Sequence, residues 1–109
     1  MYSVKIRVIL KERVKGAVLQ ASAGKAFRRF TYHCRTVAVD HDGAFILEPC
    51  DQPISVTKGD RVVRLGTEET NGLLFAVTYE DNSIYFNFAH DFCGGCGAMR
   101  WIKGTLWQY

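Results

Sequence analysis

Cysteine and histidine side chains near residue 93 are the residues whose spacing could support chemistry. Cys93 and Cys96 are separated by two glycines, and this spacing lets two thiolates reach one tetrahedral metal ion at about 2.3 Å. No second C-x-x-C pair exists, so further ligands would come from separate parts of the chain. The candidate metal ligands are Cys93, Cys96, Cys34 and Cys50, with His90 as the substitute for one of them. The spacing therefore indicates zinc as the candidate cofactor.

The same segment admits three other interpretations. Free cysteine behaves as a small hydrophobic residue, so all four cysteines could be unligated thiols. A C-x-x-C pair can also cycle as a dithiol, but redox proteins place such a pair near a βαβ unit, and the sequence predicts no such unit. Finally, a Cys93 nucleophile with His90 as its base would make a thiol-dependent enzyme, provided that the two lie within hydrogen-bond reach. That enzyme is kept as an alternative function.

The elements that would position these residues are predicted from two-residue alternation of apolar and polar side chains, which is typical of half-buried strands. The predicted strands are 4–10, 14–19, 27–40, 44–48, 54–57, 61–65, 73–80, 84–89 and 101–107, with a loop over 21–26 and turns at 40–43 and 81–83. A helix over 11–21 is the competing interpretation of the second segment, because helical spacing relates Val14, Ala17, Val18 and Ala21. Gly16 and the β-branched valines favour the strand.

This pattern predicts an all-β protein in which about eight short antiparallel strands form a small barrel or sandwich; the SH3-like form of such a barrel is what the resemblance described next implies. The length of 109 residues predicts one domain spanning residues 1–109.

A family resemblance accompanies this pattern in residues 58–88. The segments Lys58-Gly-Asp60, Gly72-Leu-Leu-Phe-Ala-Val77 and Ser83-Ile-Tyr-Phe86 resemble the hairpin core of SH3-like barrels of the KOW type. The resemblance implies a module that binds RNA, DNA or a protein and has no catalytic activity of its own. Separately, Cys93-Gly-Gly-Cys96-Gly97 resembles one knuckle of a zinc ribbon.

Candidate binding residues cluster at the C-terminus, where aromatic and basic side chains are interleaved. Strict alternation would place Trp101, Lys103, Trp107 and Tyr109 on one face. Aromatic rings beside cations can stack on bases and contact phosphates, and they are also enriched at protein–protein hot spots. The competing interpretation places a tryptophan face in the core. The candidate binding residues are Arg61, Arg64, Arg100, Trp101, Lys103, Trp107 and Tyr109.

Charge favours a protein partner over nucleic acid. The net charge is only +3, from 14 basic and 11 acidic residues, whereas nucleic-acid binders usually carry a stronger basic excess on one face. The loop over 67–71 is acidic. The alternative is a KOW-type nucleic-acid-binding module that uses Arg61, Arg64, Arg100 and Lys103.

The N-terminal segment has no signal-peptide pattern, because Lys5 and Arg7 interrupt its apolar run. No segment approaches the ~20 apolar residues of a membrane helix. We therefore expect a cytoplasmic protein with no membrane contact. Its expected function is that of a small non-enzymatic binding module, of the kind that phages and mobile elements encode as accessory proteins.

Overall fold

A computed structural model describes residues 3–30, 35–39, 45–49, 53–89 and 95–109. In chain order, the elements are β1 (Ser3–Ile9), α1 (Gly16–Phe30), β2 (Arg35–Val39), β3 (Phe45–Pro49), β4 (Ser55–Lys58), a 3-10 turn (Glu68–Thr70), β5 (Phe75–Glu80), β6 (Ser83–Ala89) and α2 (Gly95–Gln108). The protein is therefore a mixed α/β protein.

Four strands form one open sheet in the order β1-β6-β5-β4. Strand β6 pairs antiparallel with both β1 and β5, whereas β4 pairs parallel with β5. Strands β2 and β3 form a separate antiparallel pair, with Val37 opposite Leu47. The predicted strands over 4–10, 44–48, 54–57, 73–80 and 84–89 are confirmed within one to two residues at each end. The predicted turn at 40–43 lies outside the described residues.

The hairpin between β5 and β6 shows why the two strands and their turn could be predicted from the sequence. Phe75, Val77 and Tyr79 lie opposite Phe88, Phe86 and Ile84, so the apolar sets of both strands share one face. Asp81 adopts a positive φ of 50° in the turn, a conformation that aspartate tolerates better than most residues. The hairpin predicted at 81–83 is thus confirmed.

Helix α1 contradicts the predicted strand over 14–19 and the predicted loop over 21–26. Its buried face contains Leu19, Ala23, Ala26 and Phe27, which are spaced i, i+4, i+7 and i+8 as on one side of a helix. Ala17, Val18 and Ala21 are exposed. The residues whose helical spacing was noticed in the sequence therefore belong mostly to the outer face.

Helix α2 contradicts the predicted strand over 101–107. Its buried residues are Ala98, Trp101, Ile102 and Thr105, again spaced i, i+3, i+4 and i+7. The Thr105 hydroxyl donates to the carbonyl of Trp101 at 2.8 Å, which satisfies a polar group that a helix must otherwise bury unpaired. The strand was predicted because Trp101 and Trp107 fall on the same side of a two-residue alternation, although one is buried and the other exposed.

Two further strand predictions need correction. The segment predicted as a strand over 27–40 begins in α1, which continues to Phe30, whereas Arg35–Val39 is extended; residues 31–34 and 40 lie outside the described residues. Residues 61–65, also predicted as a strand, form part of the loop between β4 and β5. Arg61 fixes this loop by donating to Thr57 Oγ1 at 3.0 Å and pairing with Glu69 at 3.4 Å.

The prediction of a closed all-β barrel is wrong. The described four-stranded sheet has β1 and β4 as its two edges, and both helices pack on one of its faces. Trp101 of α2 joins the layers: its ring lies 5.3 Å from Phe75 and Phe86 of the sheet and 6.0 Å from Phe27 of α1, measured between ring centroids. Helical cover, and not sheet closure, buries the apolar face.

Candidate functional site

The two helices lie antiparallel and form the outer layer of the protein. Near one end of α1, the backbone N–H of Lys15 donates to the Tyr109 hydroxyl at 2.8 Å. Near the other end, Phe27 contacts Trp101. The C-terminal turn of α2 therefore lies beside the N-terminal turn of α1, and the junction between the helices runs along the protein surface.

Positive charge is concentrated on this helical layer. The sequences of α1 and α2 contain five basic residues, Lys25, Arg28, Arg29, Arg100 and Lys103, and no aspartate or glutamate. All five are exposed. A surface with cations and no carboxylates attracts anionic partners over distances of about a Debye length, or ~10 Å.

A shallow groove of about 410 Å³ lies within this layer, and we call it the basic groove. It is lined by Arg29, Arg100, Lys103, Gly104, Trp107 and Gln108. Arg100, Lys103 and Trp107 are spaced i, i+3 and i+7, so the helix places them on one side. Trp107 is 89% exposed, which is an unusually open position for the residue with the largest apolar surface. Gly104 also lines the groove, and because it has no side chain it leaves the space between these residues open.

The structure separates the candidate binding residues that alternation had placed together. Arg100, Lys103 and Trp107 meet in the basic groove. Trp101 is fully buried in the core, and Tyr109 is half-buried with its hydroxyl bonded to Lys15. One tryptophan is thus a core residue and the other is a surface residue, because six residues along a helix turn the side chain through about 240°.

Arg61 and Arg64 lie in the loop between β4 and β5 and are not among the residues lining the basic groove. Glu69 pairs with Arg61 and accepts a hydrogen bond from the Arg64 backbone N–H at 3.3 Å. Glu69 of the acidic loop over 67–71 therefore has its own cationic partner.

Sequence reasoning missed Arg29 and Gln108 as groove residues. Arg29 fell in a segment predicted as a strand, and Gln108 follows the predicted C-terminal strand. The signal that could have found Arg29 is the helical spacing of Leu19, Ala23, Ala26 and Phe27, which places Arg29 on the outer side of α1.

A second group of charged residues lies on the sheet face opposite the helices. Lys5 Nζ donates to Asp60 at 2.6 Å and lies 4.6 Å from the ring centroid of Tyr85. The hydrogen bond from Lys5 holds the pKa of Asp60 below its ordinary value. Arg7 Nε donates to Ser83 Oγ at 3.1 Å. Since Asp60 belongs to the loop after β4, this network fastens the loop to β1 and β6.

The candidate metal ligands fall almost entirely outside the described residues. Cys34, Cys50, His90 and Cys93 lie outside them, and Cys96 is in the first turn of α2. Among the described residues, no group of three or more histidine, cysteine or acidic side chains is arranged to hold a metal ion. Zinc therefore stays a prediction. Helix α2 begins at Gly95, between the two cysteines, but no strand follows it among the described residues, so no βαβ unit of these residues contains the pair.

Comparison with models of known protein families found no match for this chain. Comparison with curated proteins found no significant relative either. The resemblance of residues 58–88 to KOW-type modules stays a prediction. Within the described ranges, neither helix has the length and apolar character needed to cross a bilayer.

Proposed function

We propose that the protein is a binding module that holds single-stranded nucleic acid in the basic groove. One observation carries the proposal: a tryptophan that is 89% exposed stands in a groove whose other large side chains include three cations and no carboxylate. This combination matches the two requirements of single-strand binding, which are an aromatic platform for a base and positive charge for the backbone.

The chemistry favours a single strand over a duplex. A base stacked on an aromatic ring contributes about 1–3 kcal/mol by alanine substitution, but a paired base in a duplex has both faces covered by its neighbours. Trp107 could use its exposed face only with an unstacked base. Lys103 and Arg100, about one and two turns from Trp107 on the same helix, would then contact the adjacent phosphates.

An acidic protein is the competing partner, because tryptophan and arginine are also enriched at protein–protein hot spots. The sequence favoured a protein on the basis of the small net charge and the acidic loop. Two observations favour nucleic acid over an acidic protein. The cations of the helices form one surface, and the acidic Glu69 is paired with Arg61 in the loop between β4 and β5.

The test is fluorescence anisotropy with a labelled single strand of about ten nucleotides, within the 4–16 nucleotides typical of such sites. Two phosphates neutralised by Arg100 and Lys103 predict a slope of about −1.4 for log affinity against log salt concentration, since each contributes about −0.7. Arg100→Gln should reduce the magnitude of this slope by about 0.7. Trp107→Ala should weaken binding by roughly five-fold or more.

Arg64→Gln is the matched control, since Arg64 is also an exposed arginine and lies in the loop between β4 and β5. It should leave affinity and slope unchanged. Absence of binding at about 50 mM salt overturns the proposal, because electrostatic binding is strong at low salt. If polyglutamate displaces the strand as well as an oligonucleotide of equal charge does, an acidic protein is the better partner. If Arg64→Gln weakens binding and Arg100→Gln does not, the loop surface of the KOW-type alternative replaces the groove.

A further inference from the structure

We infer that the strand continues out of the basic groove along the α1–α2 junction and that the complete site holds about five nucleotides. This inference rests on the proposed function and adds the path, the length and the end of the site. It is carried by the order of three surface depressions along the junction and by the different chemistry of each.

The depressions are contiguous because neighbours share a residue. The basic groove shares Gln108 with a second depression of about 450 Å³, which is lined by Ala17, Val18, Ala21, Ser22, Lys25 and Gln108. The second depression shares Val18 with a third of about 310 Å³, lined by Leu10, Glu12, Arg13, Lys15, Val18 and Tyr109. Together they follow α1 from its C-terminal end to its N-terminal end.

The lining changes from cationic to apolar along this path. The second depression has small apolar side chains from α1 and a single cation, Lys25. Such a surface suits the faces of bases, whereas phosphates are best placed beside Lys25, Arg100 and Lys103. Gln108 lies at the boundary between the first two depressions and carries both a donor and an acceptor that can bond a base edge.

Carboxylates mark the end of the path. The third depression includes Glu12, the first acidic side chain along it. Arg13 of the same depression pairs with Asp81 at 3.8 Å. The charged side chains of this depression are Glu12, Arg13 and Lys15, and with the Asp81 that pairs with Arg13 they carry no net charge. The basic groove, in contrast, has cations and no carboxylate. We therefore place the end of the favourable path at Val18.

The length of the site follows from helix geometry. Val18 and Arg29 are 11 residues apart on α1, which corresponds to about 17 Å at a rise of ~1.5 Å per residue. A stacked strand advances ~3.4 Å per nucleotide, so about five nucleotides span this distance.

The first arm of the test measures affinity for oligothymidylates of increasing length by anisotropy. Affinity should rise with each nucleotide up to about five and then level off, apart from the statistical gain of overlapping positions. The second arm uses Ala21→Glu, which places a carboxylate in the second depression. Its matched control is Gln20→Glu, since Gln20 is exposed on the same helix but does not line the path. Glutamate is a good helix former, so both variants should fold.

Ala21→Glu should weaken binding of a six-nucleotide strand by roughly threefold or more, as expected for like charges some 7 Å apart in water. It should leave binding of a two-nucleotide strand in the groove unchanged, and Gln20→Glu should change neither. Glu12→Gln should move the plateau to longer strands. A plateau at two or three nucleotides, or equal effects of Ala21→Glu and Gln20→Glu, overturns the path while leaving the groove intact. Loss of all binding to the unmodified protein would instead overturn the proposed function itself.

Discussion

Replacement of Trp101 by alanine should destabilise the fold severely, because this side chain of α2 packs against both α1 and the four-stranded sheet. Its indole is fully buried and stands edge-on to Phe27, Phe75 and Phe86. A tryptophan buries some 150–250 Å², which at ~25 cal/mol per Å² corresponds to about 4–6 kcal/mol. Measured losses for Trp→Ala in cores are about 3–5 kcal/mol, and we expect Trp101→Ala to fall in this range.

Urea unfolding followed by circular dichroism measures this loss. Trp107→Ala is the matched control, since it makes the same substitution on the same helix at an exposed position. It should change the free energy of unfolding by less than about 0.5 kcal/mol. A loss below about 1 kcal/mol for Trp101→Ala, or equal losses for both variants, would refute the packing described here.

Trp101→Phe keeps the experiment informative if the alanine variant does not fold. Among the described residues, Trp101 Nε1 is buried without a hydrogen-bond partner. Phenylalanine removes this unpaired group while retaining a ring, so we expect a loss of no more than about 2 kcal/mol.

Three further predictions concern other parts of the molecule. The pKa of Asp60 is lowered below 3.8, so its ion pair with Lys5 stabilises the fold above that pH. This stabilisation is lost as the pH falls through the folded-state pKa of Asp60. The difference in Tm between the wild type and Asp60→Asn should therefore shrink in acid. Gly24→Ala should raise the free energy of unfolding by about 0.5–1 kcal/mol, since nothing lies within 4 Å of the added Cβ. Gly16→Ala should lower the free energy of unfolding, because its Cβ would clash with the Tyr79 side chain. Thermal unfolding of both variants tests these two predictions. If the cysteines hold zinc, elemental analysis should find a stoichiometric ion that Cys93→Ser releases, and a metal-free protein of unchanged stability would exclude the site.

The strands of the sheet were predictable where apolar and polar residues alternate along the sequence. Strand β1 alternates between exposed and half-buried residues throughout. Strand β6 is buried on both faces, but Ile84, Phe86 and Phe88 alternate with Ser83, Tyr85 and Asn87, and the β5–β6 hairpin has a tight turn at Asp81. The parallel pairing of β4 with β5 was not predictable in the same way, because alternation is identical for parallel and antiparallel neighbours. Only the connection, which crosses from one end of the strands to the other, determines the direction.

The helices were missed because their small residues resemble a loop in composition and their aromatic residues match the alternation of a strand. In α1, Ala21, Ser22, Ala23 and Gly24 suggest a loop by composition, yet Ala23 and Ser22 are buried and allow the helix to approach its neighbours closely. In α2, Gly104 lowers helix propensity, and Trp101 and Trp107 both obey the two-residue alternation of a strand. Tertiary packing of a helical face outweighs these local preferences.

The candidate site depends on the same assignment, because net charge hides how charge is distributed. The chain has 14 basic and 11 acidic residues, but α1 and α2 contain five of the basic residues and none of the acidic ones. The rest of the chain therefore has nine basic and eleven acidic residues, a net charge of −2. A strand assignment divides Arg29 from Arg100 and Lys103, whereas two antiparallel helices bring them to one groove. The small net charge thus results from a basic layer and a weakly acidic remainder, and it is the basic layer that an anionic strand would meet.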